Sequence, residues 1–252
     1  MLKQLLAVLT LVSSLAHAEV IPVAVNKNNL GWFDKDVPTL TYTQKALNPR
    51  GTLLIVMGGE GRIGLERGEQ TTSRPTINML RPLIAQGYNL VVFDSPYDLA
   101  STTDMAQPRY GKDHQRRIDE VVEYYKTLYG FPVWLFGHSV GATSVAEYAN
   151  RVKSDPAKLA GIIVSGENQS TSIDVRMQVP VLIIHHANDP CPRCSPYSAR
   201  RQYERVKSNT TSSAELAWVT GGDGSGENCR DGYHMYKGSL DQAEAIIERF
   251  MR

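Results

Sequence analysis

Apolar runs of strand length alternate with amphipathic stretches of helix length along most of this chain. Thr52-Leu-Leu-Ile-Val-Met57 reads as a buried strand ended by Gly58-Gly59, and Asn89-Leu-Val-Val-Phe93 as the next. Between them the pattern predicts a helix from about Thr76 to Gln86, stopped at Gly87. From Asp113 to Tyr129, the residues Ile118, Val121, Val122, Tyr125 and Leu128 recur at helical spacing, and Gly130 closes the helix. Pro132–Phe136, Leu159–Val164, Val181–Ile184 and Glu215–Val219 are further strands. Val140–Arg151, Ser198–Val206 and Leu240–Phe250 are further helices. Continuously apolar strands separated by helices imply an α/β protein: a three-layer sandwich, with a mostly parallel sheet covered on both faces. Thr39 to Ala46 alternates weakly and is expected to be an antiparallel edge strand.

The first eighteen residues break this pattern. Lys3 precedes a largely apolar stretch from Leu5 to Leu15, and Ala16-His17-Ala18 has the small-x-small form that signal peptidase cleaves. The run is shorter than the ~20 residues that span a bilayer. The expectation is an export signal over 1–18, a single domain over 19–252, and a secreted or periplasmic location without stable membrane insertion. With 42% hydrophobic and 21% charged residues, the remainder has ordinary globular composition. A formal net charge of +1 without a basic stripe gives no reason to expect nucleic acid as a partner.

Gly137-His138-Ser139-Val140-Gly141 directly follows one predicted strand and directly precedes a predicted helix. That context makes a G-x-S-x-G pentapeptide informative, because the serine must sit on a tight turn that side chains two positions away would obstruct. His138 is read as packing, since its side chain points away from the nucleophile in this geometry. From about residue 50 onward the chain resembles the α/β-hydrolase superfamily, in particular its compact esterase-like members. The resemblance rests on Gly137–Gly141, the Gly-Gly turn at Gly58, and an acid and a histidine further on.

What the resemblance implies is a Ser, acid, His order along the chain. Asp189, a few residues past the strand at Val181, is the acid that fits, with Asp174 as competitor. His234, the one histidine after Asp189, is the base. Oxyanion donors are expected from the Val140 N–H and, by resemblance, from Gly59 rather than Gly58, although Met57 stands where many relatives carry histidine. No cofactor and no metal is expected. The reaction implied is acyl transfer to water through an acyl-enzyme on a small ester-like substrate; peptidase and thioesterase activity, and an idle hydrolase-fold binding protein, are the alternatives. Few residues separate Gly166 from the next strand, so only a short helix and no lid are expected there. The long polar segments Glu60–Arg74 and Ser95–Lys112 are expected to wall the substrate site.

Three cysteines, Cys191, Cys194 and Cys229, lie in the last quarter of the chain. An exported protein meets an oxidising compartment, so a bridge is expected and one thiol must be left over. Cys191 lies two residues after Asp189, and Cys229 five before His234. If acid and base meet, a Cys191–Cys229 bridge would staple their loops, and this pairing is the one expected, with Cys194 left as the unpaired thiol; the alternatives are that Cys194 takes the place of Cys191 or pairs with it locally.

Overall fold

A computed structural model of the protein describes residues 18–252 apart from 33, 69–73 and 102. The expected export signal therefore lies outside the described residues, except for Ala18. Among the described residues, eight strands form one sheet in the order β1-β2-β4-β3-β5-β6-β7-β8. They are β1 (Ala18–Val23), β2 (Thr39–Gln44), β3 (Gly51–Val56), β4 (Tyr88–Asp94), β5 (Val133–His138), β6 (Leu159–Ser165), β7 (Val181–His186) and β8 (Ala214–Val219). Strands β3 to β8 run parallel, whereas β2 is antiparallel to both β1 and β4.

The apolar runs are sorted by the pleat, which sends alternate side chains to opposite faces. Leu54, Val56, Val91 and Phe93 join one core with Ile118, Val121 and Val122 of α2 (Lys112–Tyr129), Val145 of α3 (Val140–Arg151) and Val206 of α4 (Pro196–Ser208). Leu53, Ile55, Leu90 and Val92 join the other with Ile77 and Leu80 of α1 (Pro75–Leu80) and Ala243 and Ile247 of α5 (Leu240–Met251). Helices thus cover both faces, as expected of a three-layer α/β sandwich.

Three expectations need correction. β2 is antiparallel but is not the edge, because β1 pairs outside it. β1 contains Pro22, which an edge strand tolerates since its outer side needs no ladder donor. The helix expected over 76–86 stops at Leu80 and continues as a 3-10 turn over Arg81–Ile84. Pro82 has no N–H to donate and disrupts the α-helical ladder there. Finally, no helix at all connects β6 to β7 among the described residues; 166–180 crosses in irregular chain, joined to the α4–β8 connection by a parallel bridge between Met177 and Thr210. No lid follows β6.

Candidate active site

Ser139 occupies the turn between β5 and α3, with φ 56° and ψ −130°. An L-residue held at positive φ is strained and persists only where its surroundings enforce it. They do so here. The Ser139 N–H donates to Ser165 O on β6 at 2.9 Å. A Cβ on Gly137 would come within 2.4 Å of Gly141 O, and one on Gly141 within 2.3 Å of Val56 O. Both positions must be glycine for α3 to press onto β3 and hold the serine at the helix N-terminus. Gly58 closes the other side, where a Cβ would lie 2.8 Å from His138 O and 3.1 Å from Ser139 Cβ.

The loop after β3 carries its carbonyls inward. Gly58 O accepts from Gly61 N at 3.0 Å, while Met57 O and Gly59 O accept from Arg109 at 3.0 and 2.8 Å. Gly59 takes φ 55° in open space. The N–H groups of Gly59 and Val140, the two expected oxyanion donors, engage no partner among the described residues.

Asp189 follows β7 and is buried. Its Oδ2 accepts from His234 Nδ1 at 2.7 Å and lies 3.3 Å from His185 Nε2; its Oδ1 accepts from Cys191 N at 2.9 Å. Burial pushes this carboxyl up, but the hydrogen bonds from His185 and His234 and the His234 charge outweigh it, and the pKa settles at about 2. Asp189 is therefore an anion throughout the neutral range. Its bond to Nδ1 places the His234 proton there and leaves Nε2 as a lone pair with no partner among the described residues. The competitor Asp174 is exposed and pairs with Arg205 and Ser172.

Residues around His234 keep it in place. His138 stacks obliquely beneath it, with ring centroids 4.9 Å apart, and bonds Ser165 Oγ through Nδ1 at 3.0 Å. Burial, and then the His234 charge, hold the His138 ring well below the ordinary imidazole range, so it packs as a neutral ring. His186 stacks on Tyr233 at 4.3 Å, and its Nε2 donates to Gly221 O at 2.9 Å. That anchors the histidine loop to the end of β7. Cys191 and Cys229 are bonded, with Cα atoms 4.7 Å apart, so a covalent link joins the acid loop to the same histidine loop.

Cys194 is the free thiol, as expected, but three features of this site were missed, the first being where that thiol sits. Cys194, the free cysteine, is buried with its Sγ 3.9 Å from Ser139 Oγ. Burial, and then the Asp189 charge, push its thiol up to about 12, so it stays protonated. The sulfurs of Cys191 and Cys194 and a His234 ring nitrogen lie within 4.8 Å of one another, but Cys191 is committed to the disulfide, leaving a metal two ligands at most. His185 is the second: its Nε2 faces both Cys194 O at 2.9 Å and Asp189, two acceptors that place its proton on Nε2. The His185-His186 doublet at a strand end was the available signal. Glu167, just past β6, is the third, buried with neither carboxyl oxygen partnered among the described residues. A carboxylate immediately after a buried strand was its only mark.

Ser139 Oγ makes no hydrogen bond to His234 among the described residues; its polar neighbour is the Cys194 thiol. Catalytic hydrogen bonds are commonly long before substrate is bound. Beside Val140 opens a polar cavity of about 230 Å³, lined by Thr103, Met105, Asn168, Gln169, Ser170 and Arg193 among others. Residues 103–106 of the segment 95–112 line this cavity, whereas none of the described residues of 60–74 does.

No protein-family model and no curated protein matches the chain by sequence. Solved structures do resemble it. A dienelactone hydrolase from Anabaena variabilis superposes with a TM-score of 0.61 at 13% identity, over 93% of this chain and 96% of that one. A Xanthomonas campestris protein described as an α/β serine hydrolase without lid gives 0.61 at 13%, over 93% and 94%. A Pyrococcus furiosus esterase gives 0.60 at 13%, over 93% and 91%. Together with the sheet order and the strand-to-helix turn at Ser139, these likenesses establish that the chain has the α/β-hydrolase fold, in a form without a lid.

Proposed function

We propose that the protein is a serine hydrolase acting on carboxylic esters, with Ser139 as nucleophile, His234 as general base and Asp189 as the acid that orients it. The observation that carries this is the buried 2.7 Å bond from His234 Nδ1 to Asp189, which follows β7 at the same carboxyl end of the sheet as the strained Ser139 after β5. In the reaction Ser139 Oγ attacks the carbonyl carbon while His234 Nε2 takes its proton. The Gly59 and Val140 N–H groups receive the oxyanion. His234 then protonates the leaving alcohol, and water attacks the acyl-enzyme by the same route in reverse. Asp189, ionised at neutral pH, holds the tautomer and stabilises the imidazolium. Esterase and dienelactone hydrolase neighbours support ester chemistry; the peptidase neighbours are larger proteins, of which this chain covers 35% and 41%. The Cys191–Cys229 bridge supports export to an oxidising compartment.

One observation favours a second reading, an idle hydrolase-fold binder: the Ser139 hydroxyl rests on Cys194 rather than on His234. A fluorophosphonate probe separates the two. Labelling is expected at Ser139 and lost in Ser139→Ala, together with hydrolysis of p-nitrophenyl acetate. A folded wild-type protein that neither labels nor hydrolyses esters would leave only the binder.

A further inference from the structure

Arg109 is fully buried and makes no ion pair among the described residues. Removing a guanidinium from water without a carboxylate opposite it is costly, on the order of several kcal/mol before compensation. Here the compensation is two main-chain carbonyls and one hydroxyl. Nη1 donates to Met57 O at 3.0 Å and to Ser144 Oγ at 3.0 Å, and Nη2 donates to Gly59 O at 2.8 Å. Burial lowers its pKa to about 9, which leaves it cationic at neutral pH. The arginine is itself fixed, since Gln115 Nε2 donates to Arg109 O at 2.7 Å and to Ser144 O at 3.1 Å.

Those partners share a location. Met57 and Gly59 flank the Gly58–Gly59 peptide, whose N–H is one proposed oxyanion donor. Ser144 lies one turn along α3 from Val140, which carries the other. We infer that Arg109 is the positioning residue of the oxyanion hole: it clamps the peptides on both sides of the Gly59 N–H and ties that loop to the helix bearing the Val140 N–H. The Gly58–Gly59 peptide itself is held by Gly61, whose N–H donates to Gly58 O at 3.0 Å, and in a trans peptide the Gly59 N–H points the opposite way. Arg109 pins the carbonyls on either side of that peptide, Met57 O and Gly59 O, so that neither can turn toward the reacting centre and repel the developing oxyanion. The buried positive charge behind the loop adds a field of the same sign as the donors. Breaking the rule against unpaired buried charge is what functional positions do when the strain serves geometry.

This inference rests on the serine hydrolase reading, and its test keeps the two apart. Full-length mature protein carrying Arg109→Met or Arg109→Lys is assayed with p-nitrophenyl acetate for kcat and KM. Phenylboronic acid inhibition, which forms a tetrahedral anion on the serine, is measured alongside. Loss of one oxyanion donor lowers kcat about 10²–10³-fold. For Arg109→Met we expect a kcat loss near the lower end of that range, with KM nearly unchanged and boronate affinity falling by a similar factor. Lysine keeps the charge but lacks the fork, so Arg109→Lys should recover part of both. A purely packing role would predict methionine to be no worse than lysine. If Arg109→Met does not fold, Arg109→Lys decides alone: a wild-type kcat and boronate affinity overturn the inference. A folded Arg109→Met with both values unchanged also overturns it, while leaving Ser139 standing. A wild-type protein unreactive to ester and boronate removes the reading and the inference together.

Discussion

Replacing Glu167 by glutamine should stabilise the protein progressively as the pH rises from 5 to 8. The carboxyl sits just past β6, 1% exposed, with neither oxygen hydrogen-bonded among the described residues. Burial raises its pKa from 4.5 to about 8, against a weaker pull from Arg201 and Arg205. Between those values the unfolded chain has released this proton and the folded chain has kept it. The native state then binds more protons, so stability must fall with increasing pH and level off above about 8. A shift from 4.5 to about 8, at ~1.4 kcal/mol per unit, sets a ceiling of about 5 kcal/mol for the whole gradient. Glutamine cannot ionise and should abolish the gradient. Its amide donors are buried too, and an unsatisfied group costs about 1–3 kcal/mol at every pH. The informative quantity is therefore the difference between mutant and wild type as a function of pH, not its value at one pH. Urea unfolding followed by circular dichroism at pH 5, 6, 7 and 8 measures it. A mutant-minus-wild-type difference that stays flat across this range would show that Glu167 ionises normally, and the reasoning would fail.

Two further experiments address the site directly. Asp189→Asn should lower kcat by about 10³–10⁴-fold, because an amide can favour the wrong His234 tautomer, whereas Asp174→Asn, altering an exposed pair with Arg205, should change little; steady-state ester hydrolysis compares them, and a crippled Asp174→Asn would reassign the acid. The double change Cys191→Ser with Cys229→Ser opens a covalent loop of sequence separation 38, for which chain entropy allows a loss of about 4 kcal/mol at most; a thermal melt identical to wild type, with unaltered kcat, would mean the bridge neither stabilises nor aligns the histidine loop.

The interior strands were legible because burial on both faces demands apolar side chains at every position, and Leu53 through Val56 or Leu90 through Phe93 can hardly be anything else. The periphery obeyed weaker rules. β1 has half its positions in water and a proline within it, so its pattern carries little more signal than a loop. The break at Pro82 was written in the sequence, but whether a proline ends a helix or only converts it to a 3-10 turn depends on what packs above it. The missing helix between β6 and β7 is a tertiary matter: fifteen residues can cross either way, and here the Met177–Thr210 bridge takes up the chain.

The site divides along the same line. Gly137–Gly141 and Asp189 could be singled out because each follows a recognisable strand, and His234 because it lies between the last strand and the last helix, in an order that the fold resemblance supplies. The groups that support them could not. Arg109 follows no motif; two of its partners are backbone carbonyls some fifty residues upstream, which leave no trace in side-chain pattern, and the third is Ser144 Oγ on α3. The cysteines show how local spacing and tertiary direction differ. Cys191 and Cys194 are three residues apart, and spacing alone does not choose between them. The choice is made where the chain turns at Asp189: the Cys191 N–H donates to Asp189 Oδ1, which holds residue 191 beside the acid and within disulfide reach of Cys229. One turn later, Cys194 N donates to Cys191 O at 2.9 Å, and that reversal points its sulfur toward Ser139 instead. The same short loop thus provides both the staple for the histidine loop and a protonated thiol against Ser139, with the Cys191 N–H bonded to Asp189 and the Cys194 N–H to Cys191 O.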